Sequence, residues 1–352
     1  MKKNKVIGLM SGSSLDGVDI AYCEFYYDTK WHYSIIKADT IPYIEEWRIV
    51  LTELPEQKGD KLIEYDISYG NYLGNIVNDF IESQQLNPDL ISSHGHTIFH
   101  KPDKGYTFQL GNGQAIASST GINTICDFRI GDIQHGGQGA PLVPIGDELL
   151  FPEYDFCINL GGIANISYVS EGKRIAFDIC AANQLLNHLS HQIGKPFDEN
   201  GNIAQLGKLN TDLFEKLNNH PYFNLDYPKS ISNQLITDTF INLLDDSDAS
   251  VEDSLYTVCK HIAYQINQAI NDVEGDTKLI TGGGAHNDFL ITAIQKEIQR
   301  KLTIPDKMIV DYKEAMIFAF MGVLRFEGQI NCLASSTGAS RDSSVGVIYI
   351  PS

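Results

Sequence analysis

Short apolar runs alternate along the chain with clusters of glycine and small polar residues. Residues 6–10 and 18–25 are apolar runs typical of buried strands, and the polar cluster 11–17 between them predicts a β-hairpin. Residues 33–40 predict a third strand. The order of strand, glycine turn, strand and strand recurs at residues 156–178. The chain therefore predicts two halves that share a topology without sharing a sequence.

Helical periodicity covers much of the remaining chain. Apolar residues recur at helical spacing through residues 61–83 and 251–273, which predicts long amphipathic helices. A strand at 278–281 runs into three glycines, and we expect a further strand at 308–310 and a buried helix at 314–326. Alternation of this kind predicts an α/β architecture.

A chain of 352 residues is too long for one ordinary hydrophobic core, so two domains are expected. The glycine-rich stretch 131–144 has the composition of a junction or a site loop. We therefore predict an N-terminal domain over residues 1–130 and a C-terminal domain over residues 131–344. A final strand at 345–350 is expected to pack on the N-terminal domain.

The chain carries 26 Lys and Arg against 45 Asp and Glu, a formal net charge of -19. Such a balance disfavours nucleic acid as a partner, although local backbone N–H groups still bind a small phosphorylated ligand. The six cysteines form no CxxC pair, which indicates reduced core thiols. No apolar run approaches a membrane span, so a cytoplasmic protein that does not bind membranes is expected.

Three glycine turns are the strongest candidates for a nucleotide site. Glycine lets the backbone approach a ligand, successive N–H groups bind anions, and a helix N-terminus favours phosphate. Asp16 and Asp19 in the first turn are candidate ligands of a hydrated Mg²⁺. Each turn alone is equally well explained as an ordinary tight turn. The candidate nucleotide-binding residues are Gly12, Ser13, Ser14, Leu15, Asp16, Gly17, Val18, Asp19, Gly161, Gly162, Gly282, Gly283, Gly284 and Asn287.

The motifs of other nucleotide-binding proteins are missing from the sequence. There is no GxxxxGK[ST] loop, no GxGxxG after the first strand, and no HRD and DFG pair. Asp178, at the end of a predicted strand, is the candidate general base toward a hydroxyl or water. On position alone, capping of the next helix is the favoured interpretation of Asp178.

Several polar residues elsewhere are candidates for contact with a substrate. His94 and His96 form an HxH pair that resembles a zinc motif, but substrate hydrogen bonding or a structural role is favoured because no third ligand is evident. Arg129 suits a carboxylate or phosphate, or an ion pair with a nearby aspartate. Glu314 begins a predicted helix, where it interacts with the helix dipole or reaches the substrate.

Long segments of the chain resemble the anhydro-N-acetylmuramic acid kinase family. They keep the order of the family's motifs and extend over essentially the whole chain. The segments are GLMSGSSLDGVD at 8–19, SHGHT at 93–97, DFR at 127–129, GGQGAPLVP at 136–144, NLGGIANIS at 159–167, FD at 177–178, GGGAHN at 282–287 and EA at 314–315.

The resemblance implies the actin, hexokinase and Hsp70-like fold, a duplicated ribonuclease H-like α/β architecture with an interdomain cleft. It implies Mg-ATP as cofactor and phosphorylation of O6 of 1,6-anhydro-N-acetylmuramic acid, with water opening the anhydro bridge, in cell-wall recycling. Asp178 is then the base that activates the water, and the 12–19 hairpin holds the ATP phosphates. The residues expected to face the sugar are His94, His96, Thr97, Arg129, Asn183 and Glu314.

The chain departs from the family's usual pattern at two places near these residues. After Asp178 the family usually has Thr-Gly-Pro-Gly-Asn, whereas residues 179–183 are Ile-Cys-Ala-Ala-Asn, and His96 replaces a glutamine. Three alternatives are therefore kept: a kinase for another anhydrosugar such as levoglucosan, a sugar sensor without turnover, and an HxH metalloenzyme. The oligomeric state, including a homodimer, stays open.

Overall fold

Two compact units make up the computed structural model of the chain, which describes residues 3–12, 15–298 and 301–351. The first unit is formed by residues 1–152 and 312–352, and the second by residues 153–311. Each unit has its own sheet and its own hydrophobic core. The expected two-domain α/β organisation is confirmed.

Twelve strands are found in the described residues. In chain order they are β1 (Asn4–Ser11), β2 (Gly17–Tyr27), β3 (Trp31–Pro42), β4 (Leu90–Lys101), β5 (Tyr106–Leu110), β6 (Thr124–Cys126), β7 (Phe156–Leu160), β8 (Ile163–Ser170), β9 (Lys173–Ala181), β10 (Lys278–Thr281), β11 (Leu302–Thr303) and β12 (Val347–Tyr349).

Thirteen α-helices are found in the described residues. They are α1 (Glu45–Glu53), α2 (Gly59–Gln84), α3 (Gly113–Thr120), α4 (Phe128–Gln134), α5 (Pro144–Leu150), α6 (Asn183–His191), α7 (Thr211–Asn218), α8 (Asn233–Leu235), α9 (Asn242–Asp245), α10 (Val251–Ile270), α11 (Asp288–Ile298), α12 (Lys307–Phe326) and α13 (Ala334–Thr337). One π-helical segment, Ile236–Ile241, lies between α8 and α9.

The two sheets repeat one strand order. In the first unit the order is β12-β6-β4-β1-β2-β3, with β1, β2 and β3 antiparallel and with β4 and β6 parallel to β1. In the second unit the order is β11-β10-β7-β8-β9. Here β7, β8 and β9 form the antiparallel meander, and β10 and β11 are parallel to β7. An antiparallel meander followed by two parallel strands is the ribonuclease H-like pattern, so the predicted duplication is confirmed.

Helix α12 packs closely against the sheet of the first unit. Gly8 on β1 permits this approach, because a Cβ there would collide with the carbonyl oxygen of Ala315. Gly322 of the helix lies in the same way against Ser92 on β4, whose hydroxyl donates to the carbonyl of Phe318. Two glycines on facing elements therefore set the distance between helix and strand.

Replacement of Gly8 by alanine should destabilise the protein by about 1–3 kcal/mol, the usual cost of inserting a methyl group into a packed core. Gly59 provides the matched control, since nothing lies within 4 Å of a Cβ built there. Gly59→Ala should be neutral or slightly stabilising. Urea unfolding of both variants measures the difference, and equal midpoints would contradict close packing at Gly8.

Helix α12 corrects one prediction of secondary structure. The expected strand at 308–310 is wrong, because Lys307–Phe326 is a single helix. A run of three apolar residues is too short to show a period. The carboxylate of Asp306 accepts the N–H of Ile309, which caps the helix start.

The unit boundaries also differ from the predicted ones at 130/131 and 344/345. The structure divides the chain after Pro152 and after Asp311. The glycine-rich stretch belongs to the first unit, because the buried Asp132 accepts hydrogen bonds from the Gly139 N–H and the Thr337 hydroxyl. Strand β12 pairs antiparallel with β6 in this unit.

The cysteines are free and buried, in agreement with the predicted core thiols: Cys23, Cys126, Cys157, Cys180, Cys259 and Cys332. Among the helices that the structure describes, none combines the length and the apolar character needed to cross a bilayer.

Candidate active site

The first glycine turn joins β1 to β2. Ser13 and Ser14 lie outside the described residues. Leu15 has a φ of 58°, a left-handed conformation that an L-residue adopts only where the surroundings enforce it. The Asp19 carboxylate accepts a hydrogen bond of 2.6 Å from the Thr40 hydroxyl. Asp16 is exposed, so this carboxylate is open to a hydrated cation.

Two of the candidate nucleotide-binding residues of the first turn, Gly17 and Val18, have structural roles. The Val18 side chain is fully buried in the core of the first unit, so only its backbone is available to a ligand. A Cβ on Gly17 would collide with the Ile41 carbonyl, which makes glycine a packing requirement of the β2–β3 pair.

The other two glycine turns lie together in the second unit. Gly282 has a φ of 84°, and its N–H donates to the carbonyl of Val310. A Cβ on Gly284 would lie 2.7 Å from the Cβ of Leu160, which precedes the Gly161–Gly162 turn. A Cβ built on Gly283 would have one atom of another described residue within 4 Å, the Asn183 amide nitrogen at 3.8 Å. This open backbone between two close turns suits a flat ligand group.

Asn183 and Asn287 brace these turns. The Asn183 amide donates 2.9 Å to the Leu160 carbonyl, which places this predicted sugar ligand at the glycine turns. The Asn287 side-chain oxygen accepts the N–H of Leu290 at 2.9 Å and so caps α11. Asn287 therefore fixes the start of the helix that follows the third turn.

Asp178 lies in a row of polar residues that crosses the second sheet. In register, Thr281 on β10 pairs with Asn159 on β7, Asn159 pairs with Asn165 on β8, and Asn165 pairs with Asp178 on β9. The register shifts directly after Asp178, because Ala164 pairs with Cys180 and Ile179 has no partner. Such a bulge redirects side chains and is frequent beside active sites.

The Asp178 carboxylate accepts a hydrogen bond from the Ile231 N–H at 2.9 Å, and burial raises its pKa to about 6. The Tyr222 hydroxyl donates to the backbone carbonyl of Asp178 at 2.6 Å. The backbone N–H of Asp178 donates to the Lys229 carbonyl at 3.1 Å. Helix α6 begins at Asn183 with Ala182 as its N-cap, so the helix-cap interpretation of Asp178 is wrong. A fixed carboxyl group with this pKa suits a general base near neutral pH.

The half-buried Arg129 contacts the buried His94 in the first unit. Arg129 Nε donates 2.9 Å to His94 Nε2, and Nη1 donates 2.7 Å to the Gly139 carbonyl. Since Nε2 accepts, Nδ1 carries the hydrogen and donates 2.8 Å to the Gly95 carbonyl. Burial lowers the pKa of Arg129 to about 10, with Glu314 opposing the shift, and the guanidinium stays charged at neutral pH. These contacts take the place of the ion pair with a nearby aspartate that was the alternative for Arg129.

The His94 contacts contradict the HxH metal hypothesis. Both ring nitrogens of His94 are engaged, one by Arg129 and the other by Gly95. Within the described residues no group of three or more His, Cys, Asp or Glu side chains is placed to hold a metal ion. His96, in contrast, hydrogen-bonds Ser11, and Thr97 is exposed at the next position.

Glu314 lies in the interior of α12, so its predicted place at a helix N-terminus is wrong. Burial raises the pKa of its carboxyl, with Asp19 adding to the shift and with Lys313 and Arg129 opposing it. Lys313 forms an ion pair of 2.6 Å with Asp147, and both side chains are buried. Charged groups of both signs therefore meet in the first unit around Glu314.

Sequence reasoning missed the residues that hold Asp178 and His96 in place. Tyr222 and Ile231 contact Asp178 from more than 40 positions away in the chain, and Tyr43, directly after β3, contacts Ser11 from 32 positions away. Contacts between segments so distant in sequence have no local pattern. The only available signal was the polar character of residues within otherwise apolar strands.

Two ribonuclease H-like units, each with a glycine turn after its first strand, define the actin, hexokinase and Hsp70-like class of proteins. The sequence model of the anhydro-N-acetylmuramic acid kinase family matches residues 4–351. The chain belongs to the anhydro-N-acetylmuramic acid kinase family.

Curated relatives agree over their full length. The anhydro-N-acetylmuramic acid kinase of Paramagnetospirillum magneticum is 33% identical over 98% of this chain and 99% of its own. That of Haemophilus influenzae is 33% identical over 99% of this chain and 98% of its own. Among solved structures, a ROK family glucokinase from Streptomyces griseus in complex with glucose and AMPPNP aligns over 91% of this chain and 99% of its own, with 10% identity and a TM-score of 0.42.

Proposed function

We propose that the protein is an ATP-dependent kinase that hydrolyses the 1,6-anhydro bridge of 1,6-anhydro-N-acetylmuramic acid and phosphorylates O6. The product is N-acetylmuramic acid 6-phosphate, an intermediate expected in the recycling of cell-wall peptidoglycan. The observation that carries the proposal is Asp178, a backbone-anchored carboxyl group with a pKa of about 6, in a chain of this family. A cytoplasmic location and a homodimer stay predictions.

Asp178 has the central chemical role in this proposal. Its carboxylate takes a proton from water while the water oxygen bonds to C1 of the sugar. The bond between C1 and O6 breaks, and O6 bonds to the γ-phosphorus of ATP, which releases ADP. The two reactions form one balanced step, since the electron pair freed at C1–O6 forms the new O–P bond.

The glycine turns are proposed to hold the nucleotide. Backbone N–H groups of the first turn, residues 12–19, would bind the phosphates, and the open backbone at Gly283 would lie against adenosine. Asp16 and Asp19 would hold a hydrated Mg²⁺, which neutralises phosphate charge during phosphoryl transfer when it is bound. Asn183 and Asn287 keep the two turns of the second unit in place.

Arg129 is proposed to bind the lactyl carboxylate of the sugar. Its Nε and Nη1 donate to His94 and Gly139, which fixes the plane of the guanidinium. No residue that the structure describes accepts from Nη2, which we assign to the ligand. A charged, pre-oriented guanidinium is the usual partner of a carboxylate. A kinase for levoglucosan would not need this charge, because levoglucosan has no carboxylate.

The altered segment after Asp178 does not favour a sensor without turnover. Ile179, Cys180, Ala181 and Ala182 are all buried in the core of the second unit. Compared with the residues usual in the family, these four side chains therefore change the packing of the core of the second unit. Asp178, which a sensor would not need, keeps its hydrogen bond to Ile231.

A panel of anhydrosugars tests the proposal in an assay that couples ADP formation to a colour change. We expect the highest kcat/KM for 1,6-anhydro-N-acetylmuramic acid and a product phosphate on O6 by NMR. Arg129→Met should raise KM for this sugar more than KM for 1,6-anhydro-N-acetylglucosamine, which lacks the lactyl group. Transfer only to sugars without that group would overturn the proposed substrate.

A further inference from the structure

Helix α4 carries two residues of opposite charge, Arg129 and Asp132, three positions apart. Residues at this spacing lie on one face of a helix, where an arginine and an aspartate commonly form an ion pair. In this chain the backbone of Gly139 bonds to both side chains. The Asp132 carboxylate accepts the Gly139 N–H at 2.8 Å, and the Gly139 carbonyl accepts Arg129 Nη1 at 2.7 Å. One glycine therefore connects the acid to the base.

The Asp132 side chain is fully buried, and its partners come from two other segments of the first unit. Its Oδ2 accepts the Gly139 N–H. Its Oδ1 accepts the Thr337 hydroxyl at 2.7 Å and the Cys332 thiol at 3.3 Å, and both of these side chains are buried as well. One carboxylate oxygen is therefore held by a segment near the end of the chain, while the other holds the loop that contains Gly139.

The backbone of this loop is fixed around Gly139. The preceding residue, Gln138, donates its N–H to the Thr337 carbonyl at 2.8 Å. Gly139 has a φ of 67°, a left-handed conformation that glycine adopts without the steric cost of a Cβ. Because the N–H and the C=O of one residue are joined through its Cα, holding the N–H on Asp132 at this φ restricts the direction of the carbonyl. That carbonyl is the one that accepts from Arg129.

The Arg129 guanidinium is held by two acceptors. Nε donates 2.9 Å to His94 Nε2, and Nη1 donates to the Gly139 carbonyl. The N–H donors of arginine form a rigid planar fork. One hydrogen bond fixes a single point of this fork, whereas two fix its plane. The plane of Arg129 therefore depends on Gly139, and the position of Gly139 depends on Asp132.

We propose that Asp132 is a positioning residue that fixes the plane of Arg129 through Gly139 and thereby sets the preference of the protein for a sugar with a carboxylate. The positioning follows from contacts within the first unit. The preference rests on the proposed function, in which Arg129 binds the lactyl carboxylate. Asp132 acts on the sugar only through Arg129 in this arrangement.

Nitrogen-15 NMR of the full-length protein with labelled arginine reads the positioning without any substrate. The signals of Arg129 are assigned as those missing from Arg129→Met. We expect separate signals for the two Nη groups in the wild type, because the hydrogen bond at Nη1 slows their exchange by rotation about the Nε–Cζ bond. In Asp132→Ala the Gly139 backbone loses its support, so the two signals should broaden and merge. Averaged Nη signals in the wild type would overturn the proposal without any variant.

Asp132→Asn and Thr337→Val are the matched controls. In Asp132→Asn the side-chain oxygen still accepts the Gly139 N–H. Its NH2 group then faces the Thr337 hydroxyl, which accepts from it and donates to the Leu333 carbonyl, 3.3 Å away. Thr337→Val removes a partner of Oδ1 and leaves Oδ2 with Gly139. Both controls should keep separate Nη signals. Merged signals in Thr337→Val, or separate signals in Asp132→Ala, would overturn the positioning role.

The ratio of kcat/KM for 1,6-anhydro-N-acetylmuramic acid to kcat/KM for 1,6-anhydro-N-acetylglucosamine tests the preference. Asp132→Ala should lower this ratio by roughly three- to tenfold, part of the effect of one charged hydrogen bond, because Arg129 keeps its charge and loses its orientation. Asp132→Asn and Thr337→Val should keep the wild-type ratio. A purely structural role would lower both kcat/KM values together, so an unchanged ratio in Asp132→Ala would overturn the preference. Wild-type protein that phosphorylates no anhydrosugar would contradict the proposed function itself, while the NMR result would stand.

Discussion

Asp178→Asn is expected to lower kcat by at least about 10²–10⁴-fold, the usual contribution of a general base. Asparagine has nearly the same shape, and its side-chain oxygen still accepts the Ile231 N–H that holds the carboxylate. The fold and the affinity for ATP should therefore be unchanged. Steady-state kinetics with the anhydrosugar and a calorimetric titration with ATP measure the two effects separately.

Asp226→Asn serves as the matched control, because Asp226 is an exposed carboxylate in the segment that precedes Lys229. This variant removes one negative charge from the same region and should keep wild-type turnover. Near-normal turnover in Asp178→Asn would contradict the assignment of the base. Loss of ATP binding in that variant would indicate a structural effect instead.

The pH profile provides a second test of the same group. Burial raises the pKa of Asp178 to about 6, and only the deprotonated carboxylate accepts a proton from water. The value of kcat/KM should therefore increase with pH through about 6 and level off above it. An unperturbed aspartate, with a pKa of about 3.9, would give no such rise in this range.

The local pattern of the sequence predicts the two sheets well. The first strand of each meander is a short, largely buried run, and a polar turn that contains glycine follows it in both units. Asn112, directly before α3, is a further local feature, because asparagine favours the N-cap position and its side chain accepts the Ala115 N–H. These features depend on neighbouring residues, which is why one sequence suffices to predict them.

Features that depend on distant contacts were not predicted. Gly8 belongs to a buried strand whose neighbour Ala315 lies more than 300 residues away, so the close packing of α12 left no local signal. Residues 312–352 also belong to the first unit although most of that unit lies far away in the sequence. No local pattern shows this, and both predicted domain boundaries therefore differ from the observed ones. At the candidate site, the residue types of Asp178 and Arg129 were evident, whereas their partners Ile231 and His94 come from other segments.

Lys313→Met is expected to lower the free energy of unfolding by about 3–5 kcal/mol, the usual effect of removing one partner of a buried ion pair. Lys313 Nζ lies 2.6 Å from Asp147 Oδ1, and the two side chains are 6% and 5% exposed. Methionine matches the length of the lysine stem but leaves the Asp147 carboxylate buried beside an apolar group. Urea unfolding followed by circular dichroism measures the loss.

Lys61→Met is the control that separates the effect of burial from the effect of losing an ion pair. Lys61 and Glu64 lie at the same 2.6 Å, but their side chains are 49% and 60% exposed. Water stabilises the remaining carboxylate there, so this variant should lose no more than about 1 kcal/mol. Equal losses in the two variants would contradict a burial effect. Stability regained in the double variant Asp147→Leu with Lys313→Met would show that the cost comes from the buried carboxylate that lost Lys313, because an apolar pair of similar volume needs no counter-ion.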